Sequence, residues 1–154
     1  MQGLGLLSLR CVLGLVSIAH GLPKLLPMGS DSPRDIAALF EGVGLSPAYP
    51  LTVATGIVEV LGGALLTVGA YTFWSGLLLV STILAVSWKL TLPNGFFMNW
   101  LLKSEVGHGY EFSLVLVAAI LCVMLAEPGI LSVDRRRARR IASAKLSKAR
   151  VKAG

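Results

Sequence analysis

Ionisable side chains lie within long apolar stretches of this 154-residue chain, among them Arg10, His20 and Lys24 in the first stretch and Glu59 in the second. Placing a charge in hydrocarbon is costly, so each such residue needs a functional or an architectural reason. A carboxylate, an imidazole and an ammonium group can transfer protons and can hydrogen-bond the polar atoms of a ligand. Glu111, at the start of the last apolar stretch, is a fifth candidate. These residue types favour proton handling or ligand binding inside a membrane.

The ionisable residues recur at helical spacing together with small residues. On the first stretch the intervals alternate between four and three residues, which at about 100° per residue predicts one narrow stripe: Arg10, Gly14, Ser17, Gly21 and Lys24. A similar face surrounds Glu59 on the second stretch: Thr52, Thr55, Gly56, Gly62 and Gly63. Small residues let helices approach closely, so we expect both stripes to face the interior of a helical bundle.

Glu59 and His20 have similar predicted depths. The second helix runs back from the side where the first one ends, so helix rise places both residues about 12 Å below the same end of the bundle. The sequence therefore allows a contact between them, which favours a proton-handling role. An architectural interpretation stays open: Arg10 and Lys24 extend toward the membrane surface or set helix register. Glu59 is then protonated or paired across helices, and His20 is a hydrogen-bonded packing residue.

The connection before the last apolar stretch is rich in aromatic residues at positions 93–100 and 107–112. This composition is typical of an interfacial belt, and it also suits the mouth of a pocket. His20 and His108 fall on one side, but no spacing supports a bis-histidine haem, and we expect no intrinsic cofactor and no metal site. Cys11 and Cys122 have no paired spacing, and their apolar flanks predict buried core residues.

Composition places all of these residues in a membrane protein. The chain is 55% hydrophobic and 14% charged, with a mean hydropathy of +0.76, whereas about a quarter of the residues in an average soluble domain are charged. Four stretches approach the roughly 20 residues that cross a hydrocarbon core as a helix: residues 4–26, 51–70, 72–92 and 110–126. The sequence thus predicts an all-α, four-helix transmembrane bundle over residues 1–134.

Positive charge is concentrated at the C-terminal end. Residues 1–134 carry five basic and eight acidic side chains, whereas residues 135–154 carry nine basic and no acidic ones. The isoelectric point of 9.8 therefore reflects the tail, and we expect no nucleic-acid partner. The positive-inside rule predicts a cytoplasmic tail, attracted to anionic lipid. With four spans, both termini are expected in the cytoplasm and the chain in the inner membrane of the cell.

Two segments outside the spans have helical patterns of their own. Ser32, Pro33 and Asp35 have the arrangement of an N-cap, a first-turn proline and a capping box. The apolar residues that follow predict a short amphipathic helix on the outer membrane surface: Ile36, Leu39, Phe40 and Val43. The basic tail has a sparser pattern, and its expected apolar anchors are Ile141, Leu146 and Val151. A solvated positive flank is the alternative for the tail.

Taken in order along residues 5–134, these motifs resemble the DoxX family of small four-helix membrane proteins. The first span carries Arg10, Gly14 and the run HGLPKL at positions 20–25, and Val43-Gly44-Leu45 precedes the second. The run EVLGGALL at positions 59–66, closed by Gly69, is similar to the family's E-x-x-G-G-x-L-L segment. GYEF at 109–112 and PGILSVD at 128–134 resemble two later motifs, with Glu127 where the family usually has glycine. The resemblance assigns five residues to the family's polar signature: Arg10, His20, Lys24, Glu59 and Glu111.

The resemblance implies a membrane component of a redox system. The family is named for a membrane subunit associated with thiosulfate:quinone oxidoreductase and terminal quinol oxidase activity in archaea. We therefore expect the polar cluster to bind a quinone or a similar lipid-soluble carrier, with at most a membrane-subunit role in catalysis. Electrons would come from a protein partner that carries the redox centre. This hypothesis predicts a ligand-sized pocket near the outer leaflet.

Other functions stay open. A non-catalytic membrane anchor or assembly factor for a redox or oxidative-stress complex would use the polar cluster only to hold helix register. A small transporter or channel would need a continuous polar path to Arg10, and four short spans leave little room for inverted repeats. The glycines on both stripes permit close contacts within one chain or between chains, so the sequence is also compatible with a homo-oligomer.

Overall fold

The computed structural model describes residues 2–29, 31–103, 106–126 and 129–153, and within them it is all-helical, with no strand. The helices are α1 (Gln2–Gly21), α2 (Pro33–Gly42), α3 (Ala48–Val68), α4 (Thr72–Leu90), α5 (Glu111–Leu125) and α6 (Val133–Ala153). Short 3-10 turns, Leu22–Lys24 and Leu92–Asn94, follow α1 and α4. The predicted all-α class is confirmed.

Four of the helices close into a bundle. Helix α1 packs against α3, α3 against α4, α4 against α5, and α5 against α1. Each of these four helices contributes aliphatic side chains to the core, which contains Leu13, Leu66, Leu79, Val80, Ile120 and Val123. The core continues into the wall of a cavity, since Leu79 belongs to both.

The interface between α1 and α3 depends on glycine. A Cβ atom added at Gly63 would lie 2.6 Å from the carbonyl oxygen of Gly14, and one at Gly21 would lie 2.9 Å from that of Gly56. Such distances leave no room for a side chain, so the two backbones touch. The predicted stripes thus do face each other within one chain, and Arg10 and Glu59 are buried between the helices.

Three helices have the length and composition to cross a membrane, at Gly3–Lys24, Ala48–Val68 and Thr72–Leu90, among the residues that the structure describes. Helix α5 has 15 residues and is about 22 Å long, compared with about 30 Å for a hydrocarbon core. Its start is set by the preceding loop, because the amides of Tyr110 and Glu111 donate to the carbonyls of Gly95 and Phe96. The helix at residues 111–125 lies within one residue of the predicted span 110–126 at each end.

Helix α2 forms where the capping pattern predicts it. The hydroxyl of Ser32 accepts from the Asp35 amide at 3.3 Å, and the Asp35 carboxylate accepts from the Ser32 amide at 3.1 Å. The helix packs against α3 through Phe40, which is 2% exposed, and Ala37. Leu39, on the predicted apolar face, is 61% exposed, because the contact with α3 is centred on Phe40 and Ala37.

The basic tail is helical, since α6 covers nearly all of it. Ile141 is 57% exposed, while the side chains of Leu146 and Val151, like Glu127 and Pro128, lie outside the described part of the chain. The prediction that both cysteines are buried is wrong. Cys122 is exposed, Cys11 is half-buried, and both are free thiols. The bundle turns these positions outward, where lipid supplies the apolar surroundings that the sequence indicated.

Candidate functional site

The centre of the candidate site is an ion pair between Lys24 and Glu59. Pro23 lies in the 3-10 turn that follows α1, and this turn brings Lys24 over α3. The Lys24 Nζ atom lies 2.5 Å from both carboxylate oxygens of Glu59. Their side chains are only 12% and 10% exposed. A Cβ atom at Gly56 would lie 2.8 Å from the Lys24 Cβ, so this glycine makes room for the pair.

His20 lies beside this pair without bonding to it. Among the described residues, the contact with Glu59 that the sequence allowed is not formed: the carboxylate bonds to Lys24. His20 Nδ1 lies 2.9 Å from the Val16 carbonyl oxygen, and since a carbonyl can only accept, Nδ1 donates and Nε2 is left for another partner. The imidazole stacks on Phe112 of α5, with ring centroids 5.9 Å apart.

A cavity of about 280 Å³ opens against these side chains. Helices α1 to α5 all contribute to its wall, which is mainly apolar: Phe40, Leu79, Ile83, Val86, Phe112 and Leu116. His20, Lys24 and Glu59 line it together, so three of the five predicted site residues meet at one place. Its volume is close to the lower end of small-molecule pockets, about 300–1,000 Å³.

Two serines that the sequence analysis did not single out also line the cavity. Ser87 on α4 donates to Ser113 on α5 at 2.8 Å. Polar residues inside apolar spans were the available signal, but spacing along separate helices does not reveal a pairing across them. The hydroxyl pair adds hydrogen-bonding capacity to a wall that is mainly apolar.

Glu111 lies outside the cavity wall. Its Oε2 atom accepts from the Met98 amide at 3.1 Å. This bond connects the aromatic-rich loop between α4 and α5 to the first turn of α5. The next two residues, Phe112 and Ser113, line the cavity. The geometry thus gives Glu111 a position from which it holds the loop and two wall residues in place.

Arg10 lies at the opposite end of the bundle. It is 3% exposed, and its Nη2 atom donates to the Ile130 carbonyl at 3.3 Å. Its Nε atom is buried with no hydrogen-bond partner among the described residues. Gly69, in the left-handed conformation at φ 66°, makes room for the guanidinium, because a Cβ there would collide with Arg10 and Ser132. Arg10 is therefore separate from the cavity.

The same end holds a second polar junction. The Asp134 carboxylate accepts from the amides of Tyr71 and Thr72 and from the Thr72 hydroxyl, each at 2.9 Å. It thereby caps α4 from a helix 62 residues away in sequence. Burial alone would raise the pKa of Asp134, but the hydrogen bonds from Thr72 and Tyr71 and the charge of Arg137 outweigh it and lower that pKa.

An interior ion pair beside an apolar cavity, enclosed by helices of membrane-spanning length, defines a helical membrane protein with a polar site between its helices. The DoxX family profile matches residues 5–92, and the chain belongs to this family. The matched segment includes Arg10, His20, Lys24 and Glu59, whereas Glu111 and Asp134 lie beyond it. No curated protein and no solved structure matches the chain.

Proposed function

We propose that the cavity binds the ring of a quinone or a similar lipid-soluble carrier and that the protein is a membrane component of a redox system. The observation that supports this most directly is an apolar cavity of about 280 Å³ with a buried ion pair and an imidazole in its wall. Such a combination suits a ligand with an apolar body and a few polar atoms.

The residues present fit a quinone. An ammonium group has three donors, so Lys24 can keep Glu59 as its partner and still donate to a carbonyl oxygen of the ligand. His20 Nε2, which has no partner among the described residues, is an acceptor in the neutral imidazole and suits a hydroxyl of the reduced carrier. The stack of His20 on Phe112 provides an aromatic surface. A bound quinone supplies two-electron redox chemistry, and Glu59 and His20 are groups that can exchange the accompanying protons with it. The electrons would come from a partner protein that carries a redox centre.

Membrane orientation is part of the proposal. The N-terminal half of α1 and the start of α6 lie at one end, since Arg10 bonds to Ile130 and the Asp134 amide bonds to Gly69. The positive charge of α6 supports a cytoplasmic location for this end, with both termini in the cytoplasm of a cell with an inner membrane. Helix α5 would then be a short fourth span, accommodated by local thinning of the bilayer. The cavity would open toward the outer leaflet.

The test is ligand-dependent stabilisation of the purified full-length protein in mild detergent, with a short-chain ubiquinone and menadione as probes. Val86 lines the cavity, and Val86→Trp is expected to fill it and abolish the rise in melting temperature that either probe causes. Val115 on α5 is 65% exposed, so Val115→Trp is the matched control and should respond as the wild type does. Equal responses of the wild type and Val86→Trp, or no response of the wild type, would refute the proposal.

The anchor or assembly-factor function is the second candidate, and one observation favours it. Lys24 and Glu59 already satisfy each other, so the pair is complete without a ligand. In that case Glu59→Gln should weaken co-purification of partner proteins, while neither quinone probe should stabilise the wild type. The two functions thus predict opposite results in the same thermal measurement.

A further inference from the structure

We propose that a groove at the start of α6 binds the phosphate headgroup of an anionic phospholipid, at a site separate from the cavity. The groove has a volume of about 360 Å³, and six residues line it: Ile130, Leu131, Ser132, Arg135, Arg136 and Arg139. Three arginine side chains line this one groove, and arginine can bind a phosphate through two parallel hydrogen bonds.

The positive charge of the groove has no internal counter-ion among the described residues. Asp134 is the one acidic residue of α6, and its carboxylate is already occupied by Tyr71 and Thr72. Within the described ranges the ion pair found is Lys24 with Glu59, so Arg135, Arg136 and Arg139 make none there. An external anion would supply the missing negative charge.

Arg10 adds to the charge from beneath the groove. Its guanidinium, 3% exposed, donates to the carbonyl of Ile130, which is a wall residue of the groove. The Arg10 Nε atom has no partner among the residues described. A buried cation without a carboxylate is costly, and a phosphate held by the groove arginines would offset part of this cost.

The position and the apolar wall favour a lipid over a free phosphate. The groove lies at the end of the bundle, since the Ser132 hydroxyl donates to the Gly69 carbonyl in the turn just before the spanning helix α4. This is the level at which lipid headgroups meet the helix ends. Leu131 is 65% exposed beside the arginines, where it can contact the start of an acyl chain.

The experiment is native mass spectrometry of the full-length protein in detergent, titrated with phosphatidylglycerol or with phosphatidylcholine of the same acyl chains. We expect phosphatidylglycerol to bind the wild type selectively. Replacing Arg135, Arg136 and Arg139 by Gln should weaken this binding by about tenfold or more. The matched control replaces Arg140, Lys145 and Lys148 by Gln, which removes the same charge from exposed positions outside the groove and should change binding less than about twofold.

Four results would overturn the proposal. Equal weakening by the two triple variants would mean diffuse attraction to the whole of α6, and equal binding of the two lipids would mean that the headgroup charge is not recognised. Competition by millimolar inorganic phosphate would assign the groove to a free anion. A third variant, with the groove arginines replaced by Lys, keeps the positive charge and guards against a folding defect. This variant should retain selectivity for phosphatidylglycerol. Complete loss of phosphatidylglycerol binding in the Lys variant would also contradict a headgroup site.

Discussion

The Lys24 ammonium lies 2.5 Å from both carboxylate oxygens of Glu59, and the pair joins the 3-10 turn after α1 to the middle of α3. It neutralises two charges inside the bundle, and it also lies in the wall of the cavity. Architecture alone requires only that the charges cancel, whereas ligand binding requires that the polar groups be present. Variants that separate these two requirements therefore decide between the proposed functions.

Breaking the ion pair should destabilise the protein, and removing it completely should not. Glu59→Gln leaves the Lys24 ammonium buried without its counter-ion, at an expected cost of about 3–5 kcal/mol in the free energy of unfolding. The double variant Lys24→Met, Glu59→Leu removes both charges and should recover most of that loss. Denaturant titration in detergent measures both. A Glu59→Gln variant as stable as the wild type would contradict a tight interior pair.

The same double variant tests the cavity. If the polar groups bind a carrier, the double variant should be folded and stable but should lose stabilisation by the quinone probes. A double variant that still responds as the wild type does would assign the pair to architecture alone. The matched control is Glu41→Gln, a change at an exposed carboxylate on α2.

His20→Phe should separate the aromatic stack from the hydrogen-bonding nitrogen. Phenylalanine can keep the stack on Phe112 but has no counterpart of Nε2 and loses the bond to Val16. The expected loss of stability is about 1 kcal/mol or less, while probe binding should fall. His20→Ala removes the stack as well. Unchanged probe binding in both variants would exclude His20 from the ligand site.

The contact between α1 and α3 predicts a strong difference between two glycines. In Gly63→Ala the new Cβ would lie 2.6 Å from the Gly14 carbonyl oxygen, and overpacking of this kind costs about 1–3 kcal/mol. Gly5 on α1 has nothing within 4 Å of an added Cβ, so Gly5→Ala should be neutral or stabilising by up to about 1 kcal/mol. Thermal unfolding in detergent compares them. Equal effects would refute the close approach of the two backbones.

Much of the fold followed from local patterns. The stripes of small and polar residues placed Arg10, Gly14 and Glu59 correctly in the interior, because a regular helix converts spacing directly into a face. The capping box of Ser32 and Asp35 could also be predicted from the sequence, since all of its bonds lie within four residues.

The partner of Glu59 could not be predicted in the same way. Helix rise gives the depth of His20 and Glu59, but α1 ends at Gly21, and the 3-10 turn containing Pro23 then brings Lys24 to the carboxylate. The bonds at the start of α5 could not be predicted for a related reason, since loop carbonyls accept from the amides of Tyr110 and Glu111. The spacing of residues within one helix does not predict the bonds that a turn or a loop outside that helix makes to it.

The contact between Asp134 and Thr72, 62 residues apart in sequence, predicts how stability changes in acid. Burial of Asp134 is outweighed by hydrogen bonds from Thr72 and Tyr71 and by the charge of Arg137, so its pKa in the folded protein is below the ordinary value of 3.8. A carboxyl whose pKa is depressed by folding contributes stability above its unfolded pKa, and this contribution is lost as the pH falls through the folded pKa.

At pH 7 the Asp134→Asn variant should therefore be less stable than the wild type, by about 1–3 kcal/mol for the lost charge-assisted bonds. The difference should shrink below about pH 4 as the wild-type carboxyl becomes protonated. Melting temperatures from pH 7 downward measure this, with Glu41→Gln as the exposed control. A difference that stays constant across this range would mean that Asp134 stabilises the end of the bundle by shape, and that its charge does not cap α4.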